Sequence, residues 1–282
     1  MRIEVNGVRI FFDVEGAKLV PDGPIMRERP TLILLHGGPG QDHSSYKGRF
    51  SSFADVAQVV YIDHRGNGRS DHADASTWNL AQWGDDLYEF CRALEIEKPI
   101  VLGTSFGGFV AMSYATRHPE HPGKLILAST QARFNKQGTL DQFERLGGPE
   151  ARAVAERFLG GADEDALRDY FRVCYPLYMR RASRDRDVLR RSVMNEAVLL
   201  DFESAAGEST SFDLRADLAA IRCPTLVLTG ADDAITPTQD SDEIAAAIPA
   251  GFARVVRFEN AGHPVFADEP AALDGIRDFI LE

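Results

Sequence analysis

The chain contains little cysteine. Only three cysteines occur in 282 residues, namely Cys91, Cys174 and Cys223, and no two of them form a C-x-x-C pair. This number and spacing exclude a disulfide framework and a zinc knuckle as organising features. The pattern favours a protein of the reducing cytoplasm.

Positive charge and long apolar runs are also scarce. The formal net charge is -12, because 43 acidic residues outnumber 31 basic ones. Nucleic acids and anionic membranes bind basic surfaces, so neither is an expected partner. Nowhere do about 18 apolar residues run together, so no membrane span is predicted. The N-terminal stretch MRIEVNGVRIFF alternates polar and apolar residues, so no signal peptide is predicted. The remaining composition, 44% hydrophobic, is that of an ordinary globular protein.

Apolar runs that alternate with helical patterns predict the fold class. Asn6-Gly7 lies between two alternating runs and predicts an N-terminal hairpin, whereas the stretch from Ala17 to Arg29, with its prolines and glycine, predicts a loop. Helical patterns separate the later runs, and Pro270 is expected as the first residue of the last helix. The chain therefore predicts an α/β fold with a mostly parallel, doubly wound sheet whose strands are buried on both faces. The predicted strands are Thr31–Leu35, Val59–Ile62, Pro99–Gly103, Lys124–Ser129, Pro224–Gly230 and Ala253–Phe258, and the predicted helices are Thr77–Leu94, Phe106–His118 and Glu269–Leu281.

One segment interrupts this alternation. From Gln131 to Leu214 there is no strand-like run, but several charged helical stretches occur. We expect an all-helical insertion. The predicted organisation is a core domain of residues 1–130 and 215–282 and a helical cap domain of residues 131–214.

The sequence GTSFGG places a serine where a predicted strand gives way to a helix. Gly103-Thr104-Ser105-Phe106-Gly107 matches the G-x-S-x-G nucleophile elbow, in which a tight turn presents the serine hydroxyl at the carboxyl edge of the sheet. A Ser/Gly turn that merely begins a helix is the alternative. The strand before and the helix after favour the elbow, with Ser105 as a nucleophile.

A serine hydroxyl needs a base and an acid that orients the base, in the chain order Ser, acid, His. His263 follows the last predicted strand and precedes the terminal helix, which is the position expected of the base. Asp232 and Asp233 follow the strand that ends near Thr229. Spacing favours Asp233 as the acid, with Asp232 as a capping residue.

The stretch HGGPG, His36 to Gly40, follows the strand Thr31–Leu35, from which an oxyanion hole takes one of its backbone N–H groups. Gly38 and Phe106 are the predicted donors.

The stretch DHRGNGRS, Asp63 to Ser70, lacks the third glycine of a dinucleotide site and the His-x-x-x-His pair of a helical metal site. It predicts a solvated turn, and no cofactor or metal is expected.

Together, HGGPG, DHRGNGRS and GTSFGG resemble the α/β-hydrolase superfamily over nearly the whole chain, and within it the proline iminopeptidase branch. The resemblance implies a triad of Ser105, Asp233 and His263, and a cap formed by Gln131 to Leu214. In these peptidases, cap acids beside aromatic residues hold the α-ammonium group of the substrate. Here the stretch LLDFE occupies the comparable place.

That comparison implies substrate contacts from Phe202 and Glu203, with Glu196 as a further candidate acid, whereas Leu199 replaces an expected tryptophan. The predicted activity is a cofactor-free serine hydrolase acting through an acyl-enzyme on a small-molecule or short-peptide substrate, as a proline iminopeptidase-like aminopeptidase. A carboxylesterase or lactonase of the same fold is the alternative, and a non-catalytic ligand-binding homologue is a further one.

Overall fold

The computed structural model describes residues 1–161, 163–181, 187–263 and 265–282. It begins with the predicted hairpin, in which strands β1 (Arg2–Val5) and β2 (Val8–Glu15) pair antiparallel. Asn6 and Gly7 form the turn with φ angles of 46° and 77°. Two positive φ angles define the turn geometry that Asn-Gly favours, so this prediction is confirmed.

The stretch predicted as a loop contains a second hairpin instead. Strands β3 (Leu19–Asp22) and β4 (Ile25–Glu28) pair antiparallel in a separate two-stranded sheet. Gly23, with φ of 60°, and Pro24 form the two-residue turn between them. The loop prediction is wrong. The glycine and a proline form the turn of the hairpin, and the largely exposed strands lack the apolar pattern by which a strand is recognised in a sequence.

The main sheet has eight strands in the order β1-β2-β6-β5-β7-β8-β9-β10. All pairs from β6 through to β10 are parallel, while β2 joins the sheet antiparallel to β6. The predicted mostly parallel sheet is therefore confirmed. Its remaining strands are β5 (Thr31–Leu35), β6 (Gln58–Ile62), β7 (Ile100–Thr104), β8 (Lys124–Ala128), β9 (Thr225–Gly230) and β10 (Ala253–Phe258).

Strand β10 departs from the expected burial on both faces. Its residues are partly or fully exposed along the whole strand, whereas every residue of β5, β7 and β9 is buried. The reason is its position, because β10 is an edge strand that pairs only with β9. Only the tertiary arrangement determines which apolar run lies at an edge.

The helices cover both faces of the sheet. In β5, Ile33 and Leu35 pack in one apolar cluster while Leu32 and Leu34 pack in another, so consecutive side chains are buried on opposite faces. Pro270 immediately precedes the last helix instead of starting it. The helices are α1 (Leu80–Ala93), α2 (Phe106–Arg117), α3 (Lys136–Leu159), α4 (Glu164–Val173), α5 (Val188–Arg191), α6 (Glu196–Phe202), α7 (Thr238–Ala247), α8 (Val265–Asp268) and α9 (Ala271–Leu281).

Residues 131–214, called here the helical segment, carry α3 to α6 and no strand among their described residues. An isolated bridge joins Arg133 to Asp213 and so brings the two ends of the segment together. Within α3 the backbone bends at Gly148, where φ is 76° ahead of Pro149. In the described part of the chain, no helix combines the length and apolar character needed to cross a bilayer.

Candidate active site

Ser105 lies on a tight turn between β7 and α2. Its φ of 54° and ψ of -121° are uncommon for a residue with a side chain, and its N–H donates to the carbonyl of Ala128 at 3.1 Å. The glycines around it are required by close packing, because a Cβ on Gly107 would collide with the carbonyl oxygen of Leu35. The local sequence therefore holds Ser105 in the strained conformation that a nucleophile elbow needs.

Asp233 and His263 form a direct hydrogen-bonded pair. His263 Nδ1 lies 2.9 Å from one carboxylate oxygen of Asp233 and 3.0 Å from the other. Asp233 is fully buried and also accepts the N–H groups of Ile235 and Thr236, each at 2.8 Å, and the Thr236 hydroxyl at 2.8 Å. A carboxylate only accepts hydrogen bonds, so His263 Nδ1 donates and Nε2 carries the free lone pair.

Asp232, the alternative acid, has a different environment. Its two oxygens form ion pairs with Arg145 at 2.8 Å and with Arg180 at 2.9 Å, and both arginines belong to the helical segment. The expectation that Asp232 caps a helix or loop is wrong, because its side chain points toward these cations. It links the loop after β9 to the helical segment.

The loop that carries His263 is fixed by contacts with residues 178–181. The N–H of His263 donates to the carbonyl of Tyr178 at 2.7 Å, and the Tyr178 ring packs edge-on against the imidazole with centroids 5.2 Å apart. Gly262 makes this approach possible, since a Cβ there would collide with the Tyr178 carbonyl. The helical segment thus contributes directly to the position of His263.

Asp268 reinforces the same junction. This buried carboxylate accepts the N–H of Gly262 at 2.8 Å and the N–H groups of Arg180 and Arg181 at 3.0 Å each. One side chain therefore joins the His263 loop to the helical segment. Sequence analysis missed Asp268, because its partners lie on a segment far away along the chain and no motif marks it.

Gly38 and Phe106, the predicted oxyanion donors, line the same cavity as Ser105 and His263. Gly38 has φ of 62°, a conformation that favours glycine. Phe106 is the first residue of α2, so its N–H has no carbonyl partner one turn earlier within the helix. Both are thus placed where a backbone N–H could meet a ligand.

The stretch DHRGNGRS is buried except for the half-exposed Arg69, so the prediction of a solvated turn is wrong. Several of its polar groups are satisfied by residues outside the stretch. Arg65 forms a buried bidentate ion pair with Asp86 at 2.7 and 2.8 Å, and Asn67 accepts the N–H of Gly40 at 2.5 Å. The second contact ties this stretch to HGGPG, and Asn195 of the helical segment donates to the Gly40 carbonyl at 2.7 Å. The stretch acts as a scaffold for the loop that contains Gly38.

Two buried histidines pack beneath that loop. The rings of His36 and His64 have centroids 4.4 Å apart, and His36 Nε2 accepts the backbone N–H of His64 at 3.3 Å. Burial lowers the pKa of both imidazoles, that of His64 strongly. Both rings are therefore neutral at pH 7.

The cavity next to Ser105 encloses about 250 Å³, and many aromatic rings line it. Glu203 contributes a carboxyl group to this lining, and burial raises its pKa to about 7, although the adjacent Ser209 hydroxyl offsets part of the effect. The described rings that line the cavity are Tyr46, Phe106, Phe109, Phe134, Phe158, Tyr170, Phe171, Tyr175, Tyr178, Phe212 and Phe266.

Two predicted substrate contacts lie elsewhere. Phe202 is buried behind the cavity wall, where its ring packs against Phe106 at 5.2 Å and Trp83 at 5.9 Å between centroids. Glu196 is exposed in the first turn of α6 and is not part of the lining. The structure therefore brings Glu203 to the cavity, but neither of these two side chains. Glu196 begins α6 and Glu203 follows its last residue, so the two carboxyl groups lie at opposite ends of the helix, about 10 Å apart along its axis, while the apolar face of α6 draws Phe202 into the core.

Comparison with known proteins agrees with this architecture. Residues 30–270 match the family described as alpha/beta hydrolase fold, and the chain belongs to this family. The proline iminopeptidase PfmaB of Pestalotiopsis fici is 29% identical over 278 residues, which cover 95% of this chain and 94% of that protein. The solved proline iminopeptidase of Mycobacterium smegmatis superposes with a TM-score of 0.78 at 23% identity, covering 99% of this chain and 97% of the other. An esterase from Exiguobacterium antarcticum gives a TM-score of 0.76 at 19% identity, covering 100% and 99% of the two chains.

Proposed function

We propose that the protein is a serine hydrolase that acts through an acyl-enzyme on small amides, as a proline iminopeptidase-like aminopeptidase. The observation that carries the proposal is that His263, which is hydrogen-bonded to Asp233, lines the same cavity as the strained Ser105. The similarity to proteins named proline iminopeptidase supports the choice of reaction.

In the proposed mechanism, Ser105 Oγ attacks the substrate carbonyl carbon while its proton passes to His263 Nε2. The carbonyl π electrons move to the oxygen, which the N–H groups of Gly38 and Phe106 stabilise. His263 then donates the proton to the departing nitrogen, and the C–N bond breaks to leave an acyl-enzyme. A water molecule, deprotonated by His263, releases the acid and restores Ser105. Asp233 keeps the imidazole in the required tautomer and stabilises its charged form.

Glu203 is the proposed anchor for the substrate amine. A carboxylate within an aromatic cavity is poorly solvated and gains from a cationic partner. A protonated amine would supply this charge and would lower the pKa of Glu203 on binding. Recognition of the amine then places the neighbouring carbonyl at Ser105.

An esterase or lactonase is the second candidate, and a specific observation favours it. Because burial raises the pKa of Glu203 to about 7, a large share of the protein carries a neutral carboxylic acid there at neutral pH. A cavity rich in aromatic rings, with Glu203 uncharged, suits an apolar acyl group. The esterase alternative therefore predicts turnover that does not require an amine.

Initial rates on prolyl 4-nitroanilide and on 4-nitrophenyl butyrate distinguish the two candidates. We expect turnover of the prolyl amide by the wild-type protein and loss of nearly all of it in Ser105→Ala, with Ser52→Ala on the exposed surface as the matched control. Serine-dependent turnover of the ester alone would support the esterase. A Ser105→Ala rate within about tenfold of the wild-type rate would remove Ser105 from the nucleophile role.

The cytoplasm is the proposed location of this activity. Cys91, Cys174 and Cys223 are all buried and unpaired. Free thiols are typical of reducing compartments. Fractionation of the source cells followed by detection of the protein would test this point.

A further inference from the structure

We propose that Gln131 forms a binding subsite for an amide group of the substrate, whose N–H donates to the side-chain oxygen of Gln131. The inference deepens the proposed function, since it names a chemical group that the substrate carries. The subsite rests on the proposed function only in one respect, namely that the bound amide is called a substrate.

The backbone around Gln131 is anchored on both sides. The hydroxyl of Thr130 donates to the carbonyl of Ser105 at 2.8 Å, and the carbonyl of Ala132 accepts the N–H of Leu214 at 2.7 Å. Gln131 is therefore held between the turn that carries Ser105 and the end of the helical segment. Gln131 and Ser105 line the same cavity.

The side chain of Gln131 lacks the hydrogen bond that its burial demands. The residue is 6% exposed and lines the cavity, and its Oε1 atom is buried with no hydrogen-bond partner in the described part of the chain. A buried polar atom without a partner destabilises a protein about as much as a lost hydrogen bond. The other described atoms in this state are four hydroxyl groups, His64 Nε2 and one carboxylate oxygen of Asp240, and neither His64 nor Asp240 lines the cavity. A hydroxyl can also donate, whereas an amide oxygen can only accept. A ligand with a hydrogen-bond donor would satisfy Gln131.

The surroundings indicate a neutral donor. Phe109, Phe134 and Phe212 also line the cavity, and the rings of Phe109 and Phe212 lie 4.6 Å apart. A cation is better stabilised by the carboxylate of Glu203 than by a neutral oxygen among aromatic rings. The N–H of an amide is such a donor, and Gln131 Oε1 can accept its hydrogen bond.

A binding measurement tests the subsite independently of turnover. The ligands are N-benzylacetamide and 4-phenylbutan-2-one, which have the same shape and differ by the replacement of the amide N–H with a methylene group. Dissociation constants are measured by calorimetry on the Ser105→Ala protein and on the same protein with Gln131→Met. The exposed Gln137→Met serves as the matched control, and circular dichroism melting checks that each variant is folded. Gln131→Ala replaces Gln131→Met if the latter does not fold.

We expect the preference for the amide over the ketone to fall by about tenfold in Gln131→Met and to stay unchanged in Gln137→Met. A preference that changes less than about twofold, or no binding of the amide to the parent protein up to its solubility limit, would overturn the proposal. Because the parent protein lacks the Ser105 hydroxyl, this result is separate from the fate of the hydrolase proposal, which depends on turnover alone.

Discussion

Glu203→Gln provides the sharpest test of amine recognition, because the pKa of Glu203 predicts how selectivity should vary with pH. The assay compares kcat/KM for prolyl 4-nitroanilide with kcat/KM for cyclopentanecarbonyl 4-nitroanilide, which has the same ring without the amine. Groups that act on both substrates alike cancel in the ratio. The ratio then reports only the groups that distinguish an ammonium ion from a methylene group.

The magnitude follows from the ionised fraction of Glu203 in the free protein. With a pKa of about 7, the carboxylate form is a minor species at pH 5.5 and the major one at pH 7.5. The substrate ammonium stays mostly protonated over this range, so the selectivity ratio should rise roughly twentyfold between these two pH values. In Glu203→Gln the ratio should be low and independent of pH. The exposed Glu196→Gln, on the same helix, should behave as the wild-type protein does.

The same pKa has a consequence for stability. The folded-state pKa is raised above the ordinary value of 4.5, so ionisation of Glu203 opposes folding. This penalty is absent below pH 4.5, grows as the pH rises to about 7 and persists above that value. Glu203→Gln should therefore be more stable than the wild-type protein at pH 8, by at most about 3 kcal/mol, in urea unfolding.

Two results would refute amine recognition by Glu203. One is a ratio of the two kcat/KM values that does not change with pH in the wild-type protein, and the other is the same ratio in Glu203→Gln as in the wild-type protein.

Three further substitutions test the framework around the site. Asp233→Asn should keep the fold but lower kcat by roughly 10³- to 10⁴-fold, because the amide favours the wrong tautomer of His263; a loss below tenfold would argue against Asp233 as the acid. Asp268→Asn should lower kcat about tenfold or more with little change in KM, since it loosens the His263 loop. A lower free energy of unfolding with an unchanged kcat would make its role purely structural. Asp86→Ala leaves the buried Arg65 unpaired and should lower the free energy of unfolding by about 3–5 kcal/mol, which urea denaturation would measure.

The sequence determined the elements whose signals are local. The apolar runs predicted each parallel strand. For the strands inside the sheet the reason is that burial on both faces places apolar residues at consecutive positions, whereas the edge strand β10 is not buried in this way. Asn6-Gly7 specified its hairpin turn through the φ angles that it allows. The motif at Ser105 and the order of Asp233 and His263 predicted a candidate site because the chain order of these residues follows from the topology of the sheet.

Only the tertiary structure decided matters that depend on distant partners. The composition of Asp63 to Ser70 predicts a solvated stretch, yet it is largely buried, and the distant Asp86 compensates the buried charge of Arg65. Asp268 gained its role from backbone groups of the helical segment, and Glu203 rather than Glu196 reaches the cavity because the packing of α6 brings its C-terminal end there and not its first turn. Burial of a charged side chain requires partners, and partners from remote segments leave no periodic trace in the sequence.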